Sequence, residues 1–170
     1  MGGFQLWANL PAARKMMDPR YQDIKAAAVP VVEASGGVRI KVICGKLNGV
    51  QGPVQDVVIE PEYLDVSLPA GARYEHPTVP GHSVFAYVFE GEVAFGPGEG
   101  TRAANRHLVI FDDGDSLAMS AGSAPARFLL ISGKPLREPV AWRGPIVMNT
   151  REELRLAFEE YENGTFLKRR

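Results

Sequence analysis

Short runs that alternate apolar and polar residues recur along most of the chain, and this pattern is typical of strands with one buried face. Val38–Cys44 alternates branched apolar with basic residues between flanking glycines, and Tyr63–Leu68 repeats the alternation before a Pro-Ala-Gly turn. Glycine, proline, asparagine and aspartate separate the runs. We predict three further strands at residues 107–111, 116–119 and 127–132, with a turn at residues 112–115.

One run differs because it is apolar almost throughout. Val84–Phe89 has no polar residue except a tyrosine, which predicts a strand covered on both sides with Phe85 and Phe89 in the core. The glycine-rich segment 96–100 lacks the Gly-Lys-Ser/Thr ending of a phosphate-binding loop and no helical pattern follows it. We interpret that segment as a hairpin turn.

Only the tail of the chain changes to a helical period. A Thr-x-x-Glu sequence at residues 150–153 has the form of a capping box, in which the two side chains accept free amide hydrogens of the first helical turn. Leu154, Phe158 and Tyr161 then recur at helical spacing. The sequence therefore predicts one C-terminal helix near residues 150–162.

Composition supports one domain of the all-β class with this single helix. The chain has 170 residues, 45% of them hydrophobic, which is enough for one substantial core and short for two. Eighteen glycines and thirteen prolines suit many tight turns. Nineteen basic and twenty acidic residues give a net charge of −1, so neither nucleic acid nor an anionic membrane is indicated as a partner.

Cysteine usage and the start of the chain bear on localisation. Cys44 is the single cysteine, so it cannot form an internal disulfide, and no accompanying signature supports a nucleophile. We expect it to be a small buried strand residue. No secretion signal is apparent at the start, and no apolar run approaches the roughly 18–20 residues that span a bilayer. The expected location is the cytoplasm.

Four segments carry a resemblance to a known family. Phe4–Pro11 and Pro19–Gln22 resemble the stretch through which pirins pass from their first barrel to their second, and Gly133–Val140 with Gly144–Thr150 resembles their closing segment. Pirins are a branch of the cupins built from two successive barrel domains. The resemblance covers essentially all of this chain, but only the C-terminal half of the family pattern.

The resemblance implies a cupin-type, jelly-roll-like β-sandwich or barrel. We expect the 170 residues to form a single pirin C-terminal domain. Within it, residues 1–28 would form the connecting segment and first strand, residues 29–140 the barrel, and residues 141–170 the closing segment and helix.

The resemblance also implies where a metal would lie. Pirins generally hold iron in the N-terminal barrel with three histidines and a glutamate, beginning at a His-Pro-His stretch. The counterpart here keeps His76 but has Thr78 in place of the second histidine, and the final His and Glu correspond to Arg127 and Leu129. A guanidinium and an alkyl chain cannot replace two metal ligands. We therefore expect this chain to hold no cofactor and no catalytic residue, with iron confined to the N-terminal half of a complete family member.

Other side chains could form a different site. His82 and His107 lie near predicted strands and could join His76 around a metal, although ordinary hydrogen-bonded histidines are the simpler interpretation. Glu90 and Glu92 could act as an acid/base pair or could be charges at the edge of a turn.

Two tryptophans offer a further choice of interpretation. Trp7 and Trp142 could line an aromatic pocket or a partner surface, or could pack near the chain ends. We favour ordinary packing for the tryptophans, because no cofactor-specific group accompanies them. We favour turn-edge charges for the carboxylates, because their spacing fixes no substrate between them.

Three functions follow from this resemblance. The first is a noncatalytic binding or support module, which contacts a missing N-terminal pirin domain, a second copy of itself, another protein or a small molecule. The second is part of a metal-dependent quercetin 2,3-dioxygenase whose metal lies in the N-terminal half. The third is an interaction protein in transcriptional regulation, because some pirins take part in transcriptional complexes.

Overall fold

The computed structural model describes residues 3–98 and 100–168, which form two compact units. One unit comprises residues 22–135, and we call it the barrel unit. The other combines the described residues up to Tyr21 with those from Leu136 onward, and we call it the terminal unit.

Two antiparallel sheets and a small hairpin make up the barrel unit. The larger sheet has the strand order β1-β2-β5-β12-β7-β10 and the smaller has the order β6-β11-β8-β9. Strands β3 and β4 form the hairpin, and two short 3₁₀ helices, Ala26–Ala28 and Ser35–Gly37, precede β1 and β2. The strands are β1 Val31–Glu33, β2 Arg39–Cys44, β3 Lys46–Leu47, β4 Val50–Gln51, β5 Glu62–Leu68, β6 Arg73–Pro77, β7 Ser83–Glu90, β8 Glu92–Phe95, β9 Thr101–Ala104, β10 His107–Phe111, β11 Ser116–Ala121 and β12 Ala126–Gly133.

The core lies between these two sheets and is built from alternate residues of each strand. On β5 the buried leucine and valine positions alternate as the sequence predicts. Phe128 of β12 is fully buried, and its ring meets that of Phe95 from the smaller sheet edge to face, with 5.4 Å between ring centroids. The predicted all-β class is therefore confirmed for the described residues.

The prediction that Phe85 and Phe89 lie in the core is wrong. On β7 the buried positions are Val84, Ala86 and Val88, while both phenylalanines are half-buried and lie on the other face of the sheet. The alternation was masked because β7 carries apolar residues on both faces. Beside these rings, Leu108 and Ile110 of β10 are exposed, so the part of the outer face formed by β7 and β10 is apolar.

The terminal unit contains a two-stranded sheet and the only α-helix of the described residues. Its elements are the 3₁₀ helix Ala12–Arg14, strands β13 Ala141–Arg143 and β14 Ile146–Met148, and helix α1 Arg151–Glu162. The predicted capping box is confirmed: the Thr150 hydroxyl accepts from the amide of Glu153 at 3.1 Å, and the Glu153 carboxylate accepts from the amide of Thr150 at 2.9 Å. No helix in the described part of the chain is long and apolar enough to cross a membrane.

A single carboxylate joins the two ends of the chain inside the terminal unit. Glu138 accepts from the backbone amide of Ala12 at 2.7 Å and from the side-chain amide of Asn149 at 2.9 Å. Nearby, the Arg143 guanidinium lies over the Phe158 ring at 5.0 Å from its centroid. The N-terminal segment is therefore held against the closing segment by specific contacts.

Candidate functional site

The interior of the barrel unit contains a histidine paired with a carboxylate. His76 lies on β6 with only 1% of its surface exposed, and its Nε2 is 2.6 Å from Oε2 of Glu62. Glu62 begins β5, which belongs to the other sheet. Because Glu62 is in phase with the buried Leu64 and Val66, its side chain points inward. The pair therefore bridges the two sheets.

The protonation of Glu62 and His76 determines which hydrogen bonds the pair can make. An ionised Glu62 only accepts hydrogen bonds, so Nε2 of His76 must then carry the proton. In the neutral ring Nδ1 keeps a lone pair, and Nδ1 is buried with no hydrogen-bond partner among the described residues. Nε2 of His76 is thus bonded to Glu62, and Nδ1 is buried without a hydrogen-bond partner among the described residues.

Tyr74 completes the polar cluster around this pair. It lies two residues before His76 on the same face of β6, and the two ring centroids are 6.1 Å apart with planes tilted by 44°. Burial, and then the negative charge of Glu62, raise the pKa of the Tyr74 hydroxyl. That hydroxyl therefore stays protonated at neutral pH and is available as a donor.

Arg127 and Leu129 lie on a different face from His76, and the Thr78 hydroxyl bonds to a loop carbonyl. The exposed Thr78 hydroxyl donates to the backbone carbonyl of Gly114 at 2.8 Å, just beyond the end of β6. Arg127 and Leu129 alternate with the buried core residues of β12, so they lie on the opposite face of the larger sheet from His76. The guanidinium of Arg127 is therefore not directed toward His76.

Arg127 has a defined partner on that outer face. Its guanidinium donates to both carboxylate oxygens of Asp65, at 2.7 and 2.5 Å, and lies over the Phe89 ring at 5.1 Å from the centroid. The hydrogen bond to Asp65 raises the pKa of Arg127. This bidentate pair joins β12 to β5.

Among the described residues, His82 and His107 do not complete a metal site with His76. His107 is exposed on β10, where its Nδ1 lies 3.0 Å from the carbonyl of Ala104. The backbone amide of His82 donates to Val79 in the loop after β6. Within residues 3–98 and 100–168, no three His, Cys, Asp or Glu side chains lie close enough to hold a metal.

The donor set around His76 does not fit the family's iron. Glu62 and His76 supply two donors, whereas the resemblance implies three histidines and a glutamate. These two ligand atoms are also hydrogen-bonded to each other, with 2.6 Å between Nε2 of His76 and Oε2 of Glu62. The arrangement supports hydrogen bonding and cross-sheet packing.

Sequence reasoning missed Glu62, although a signal was present. Glu62 falls at an inward position of the Leu64, Val66, Leu68 series, and a carboxylate in that phase requires a buried partner. Its partner could not be identified from spacing, because the two residues lie on different sheets.

The other sequence candidates have structural explanations. Glu90 ends β7 and Glu92 begins β8, so the two carboxylates lie on strands of different sheets at a turn through Gly91. The Glu92 carboxylate pairs with Arg102 at 2.9 Å. Cys44 is buried, and burial raises the pKa of its thiol, which disfavours the reactive thiolate.

The terminal unit exposes an aromatic groove. Trp7, Trp142 and Tyr161 are 62%, 70% and 68% exposed, so the interpretation of the tryptophans as ordinary packing is wrong. These side chains line a groove of about 890 Å³ together with other apolar residues, among them Leu10, Met16, Val140, Ile146, Met148, Phe158 and Phe166. We call this surface the aromatic groove.

Lys15 adds one positive charge to the aromatic groove. Its ammonium donates to the side-chain oxygen of Asn9 at 2.7 Å. Desolvation lowers the pKa of Lys15, and the carboxylates of Glu138 and Glu153 partly oppose that shift.

Sequence comparison finds a family model and relatives that match this chain. Residues 63–167 match the model of the pirin C-terminal cupin domain. The chain is 40% identical over 172 residues to a pirin-like protein from Caulobacter vibrioides, covering 98% of this chain and 59% of that protein. It is 37% identical over 164 residues to human pirin, covering 95% of this chain and 56% of pirin. The chain thus spans less than three-fifths of the length of these curated relatives.

A solved structure extends the agreement to three dimensions. The quercetin 2,3-dioxygenase from Acinetobacter baumannii superposes with a TM-score of 0.85 at 28% identity, over 94% of this chain and 55% of that one. This confirms the expected cupin-type fold. The chain belongs to the pirin family and matches its C-terminal cupin domain.

Proposed function

We propose that this chain is a noncatalytic module that supports a metal-binding cupin barrel by packing the aromatic groove against it. The exposure of both tryptophans in one groove is the observation that carries the proposal. Large exposed apolar patches on soluble proteins mark interaction sites, and tryptophan and tyrosine are enriched in such interfaces.

The groove's position in the chain indicates its occupant. Trp7 and Leu10 belong to the segment that resembles the passage between the two barrels of a pirin, and they line the groove beside Trp142 of the closing segment. In a two-barrel pirin this segment leads from the first barrel to the second. A surface that the segment forms therefore adjoins the first barrel. The occupant that we propose is therefore the N-terminal, iron-binding barrel of a complete family member.

The interior of the barrel unit supports the noncatalytic part of the proposal. Glu62 occupies Nε2 of His76 at 2.6 Å, and the two side chains face each other across the sheets. The described neighbours provide two donors, and Tyr74 stays protonated. This cluster contributes a hydrogen-bonded bridge between sheets in place of an open coordination site.

Tryptophan fluorescence gives a direct test, because both tryptophans of the chain line the groove. Mixing this chain with the N-terminal portion of the Caulobacter relative should shift the emission to shorter wavelength and give one stoichiometric complex in sedimentation. Trp142→Ser should weaken that complex, whereas Ile110→Ser, a change at an exposed apolar residue of the barrel unit, should not.

Two results would contradict this assignment. A blue shift that depends on the concentration of this chain alone would show that a second copy occupies the groove. An unchanged spectrum at tens of micromolar of both partners would show that neither occupant binds there.

A second candidate function is a part in quercetin oxidation, which the likeness to the Acinetobacter dioxygenase favours. In that case the reaction belongs to the two-barrel protein, with the metal in the other barrel. The test is metal analysis of the purified chain after tag removal, followed by oxygen consumption with ferrous iron and quercetin. About one tightly bound metal per chain, with activity abolished by His76→Ala, would overturn the noncatalytic proposal.

A further inference from the structure

A second concave surface lies on the outer face of the smaller sheet, away from the His76 interior. Strand pairing places Arg73, Ser120, Ala94 and Arg102 in one row across β6, β11, β8 and β9. Outward side chains in such a row share one face of the sheet. Two arginines therefore flank two small residues, and the cleft between them has a volume of about 650 Å³.

The spacing of this row suits a shared anion. Three strand-to-strand steps separate the arginine Cα atoms by about 14 Å. Two extended arginine side chains can reach across such a gap to the same point above Ser120 and Ala94. Small residues also form much of the rest of the cleft lining, including Gly71, Gly122 and Ser123, which leaves room for a ligand between the arginines.

The two arginines differ in their existing partners. Arg102 pairs with Glu92 at 2.9 Å, and that pair is exposed, with 62% and 50% of the side-chain surfaces accessible. No ion pair involves Arg73 among the described residues. Exposed ion pairs contribute little, so a ligand anion can displace Glu92 from Arg102 at small cost. Within the part of the chain that the structure describes, the cleft therefore contains one guanidinium without an ion pair and one that is weakly held.

We propose that this cleft binds a small molecule through an oxyanion group, a phosphate or a carboxylate, held between Arg73 and Arg102. Guanidinium groups recognise both anions through paired hydrogen bonds, and the Ser120 and Ser123 hydroxyls supply further donors at the floor. The cleft volume lies in the range of small-molecule sites, so there is room for the body of a ligand beyond its anionic group. This site is independent of the proposed function, because it uses neither His76 nor the aromatic groove.

Glu92 provides a specific test of the proposal, because its carboxylate competes with the ligand for Arg102. Glu92→Gln should strengthen anion binding severalfold, a gain that misfolding cannot produce. Arg73→Ala and Arg102→Ala should each weaken binding by about tenfold, since each removes a charge-assisted contact. Arg39→Ala is the matched control: Arg39 pairs with Glu33 at 3.1 Å on the larger sheet and its side chain has the same 62% exposure as that of Arg102.

The experiment is titration calorimetry of the intact chain at low ionic strength, with inorganic phosphate and with succinate as separate probes. Saturable binding of either probe, strengthened by Glu92→Gln and unaffected by Arg39→Ala, is the expected result, and the tighter probe identifies the oxyanion. An equal loss in Arg39→Ala would show a general charge effect and overturn the site. Saturation by neither probe, or no gain in Glu92→Gln, would also overturn it.

Discussion

Replacing Glu62 alone should destabilise the protein more than replacing its partner His76. Glu62→Leu leaves a fully buried imidazole with both ring nitrogens unpaired, since Nδ1 already has no partner among the described residues. A buried polar group that loses its hydrogen bond costs about 1–3 kcal/mol. We expect a loss in the upper part of that range, because His76 is only 1% exposed and water cannot replace the carboxylate.

The reverse change should cost less, because the side chain of Glu62 is 20% exposed and can be hydrated when His76→Leu removes its partner. The double variant removes both polar groups, and replacing both partners by apolar groups can be nearly neutral. Summing the two single losses should therefore overestimate the loss in the double variant, giving a coupling energy of about 1–2 kcal/mol.

Urea unfolding of the four proteins at pH 7 measures this coupling. Circular dichroism is the suitable signal, because both tryptophans belong to the terminal unit and their fluorescence does not report on the barrel unit. The exposed Arg39–Glu33 pair is the control and should show coupling near zero. Strictly additive losses for Glu62→Leu and His76→Leu would refute the argument that the two side chains stabilise each other.

Three further outcomes are expected. Phe128→Ala should lower the free energy of unfolding by about 3–5 kcal/mol, because the Phe128 ring is fully buried. Phe85→Ala should lower it by about 1 kcal/mol, because the Phe85 ring is half-buried. Similar losses for the two variants in urea unfolding would contradict the assignment of faces. Thr150→Ala should cost about 1 kcal/mol and speed amide hydrogen exchange in the first turn of α1, while Thr150→Ser should not. The pKa of Tyr74 is raised in the folded state, so above about pH 10 the unfolded chain binds fewer protons than the folded chain. The free energy of unfolding should therefore fall as the pH rises in this range, and it should fall less steeply in Tyr74→Phe.

The elements with a strict period could be predicted from the sequence. On Tyr63–Leu68 one face is apolar and the other is polar, so the alternation identified both the strand and its buried side. The capping box at residues 150–153 is equally local, because all of its atoms lie within one helical turn. Both features depend on neighbours close in the chain.

The errors arose where the answer depends on distant strands. Apolar residues on both faces of β7 hid which side is buried, so Phe85 was misplaced. β12 also carries apolar residues on both faces, so the face of Arg127 could not be identified along the chain. The Glu62–His76 contact exists only because two sheets stack face to face. Exposure of Trp142 likewise depends on what surrounds it in space.

The place of β12 in the larger sheet affects how the chain can fold during synthesis. β12 is the last strand of the barrel unit along the sequence, yet it lies between β5 and β7. Until Gly133 has been made, the larger sheet can form only as the separate pieces β1-β2-β5 and β7-β10, each with an unpaired edge open to other chains. Completion of the larger sheet must therefore wait for β12, and a chain that stops before β12 keeps both edges exposed.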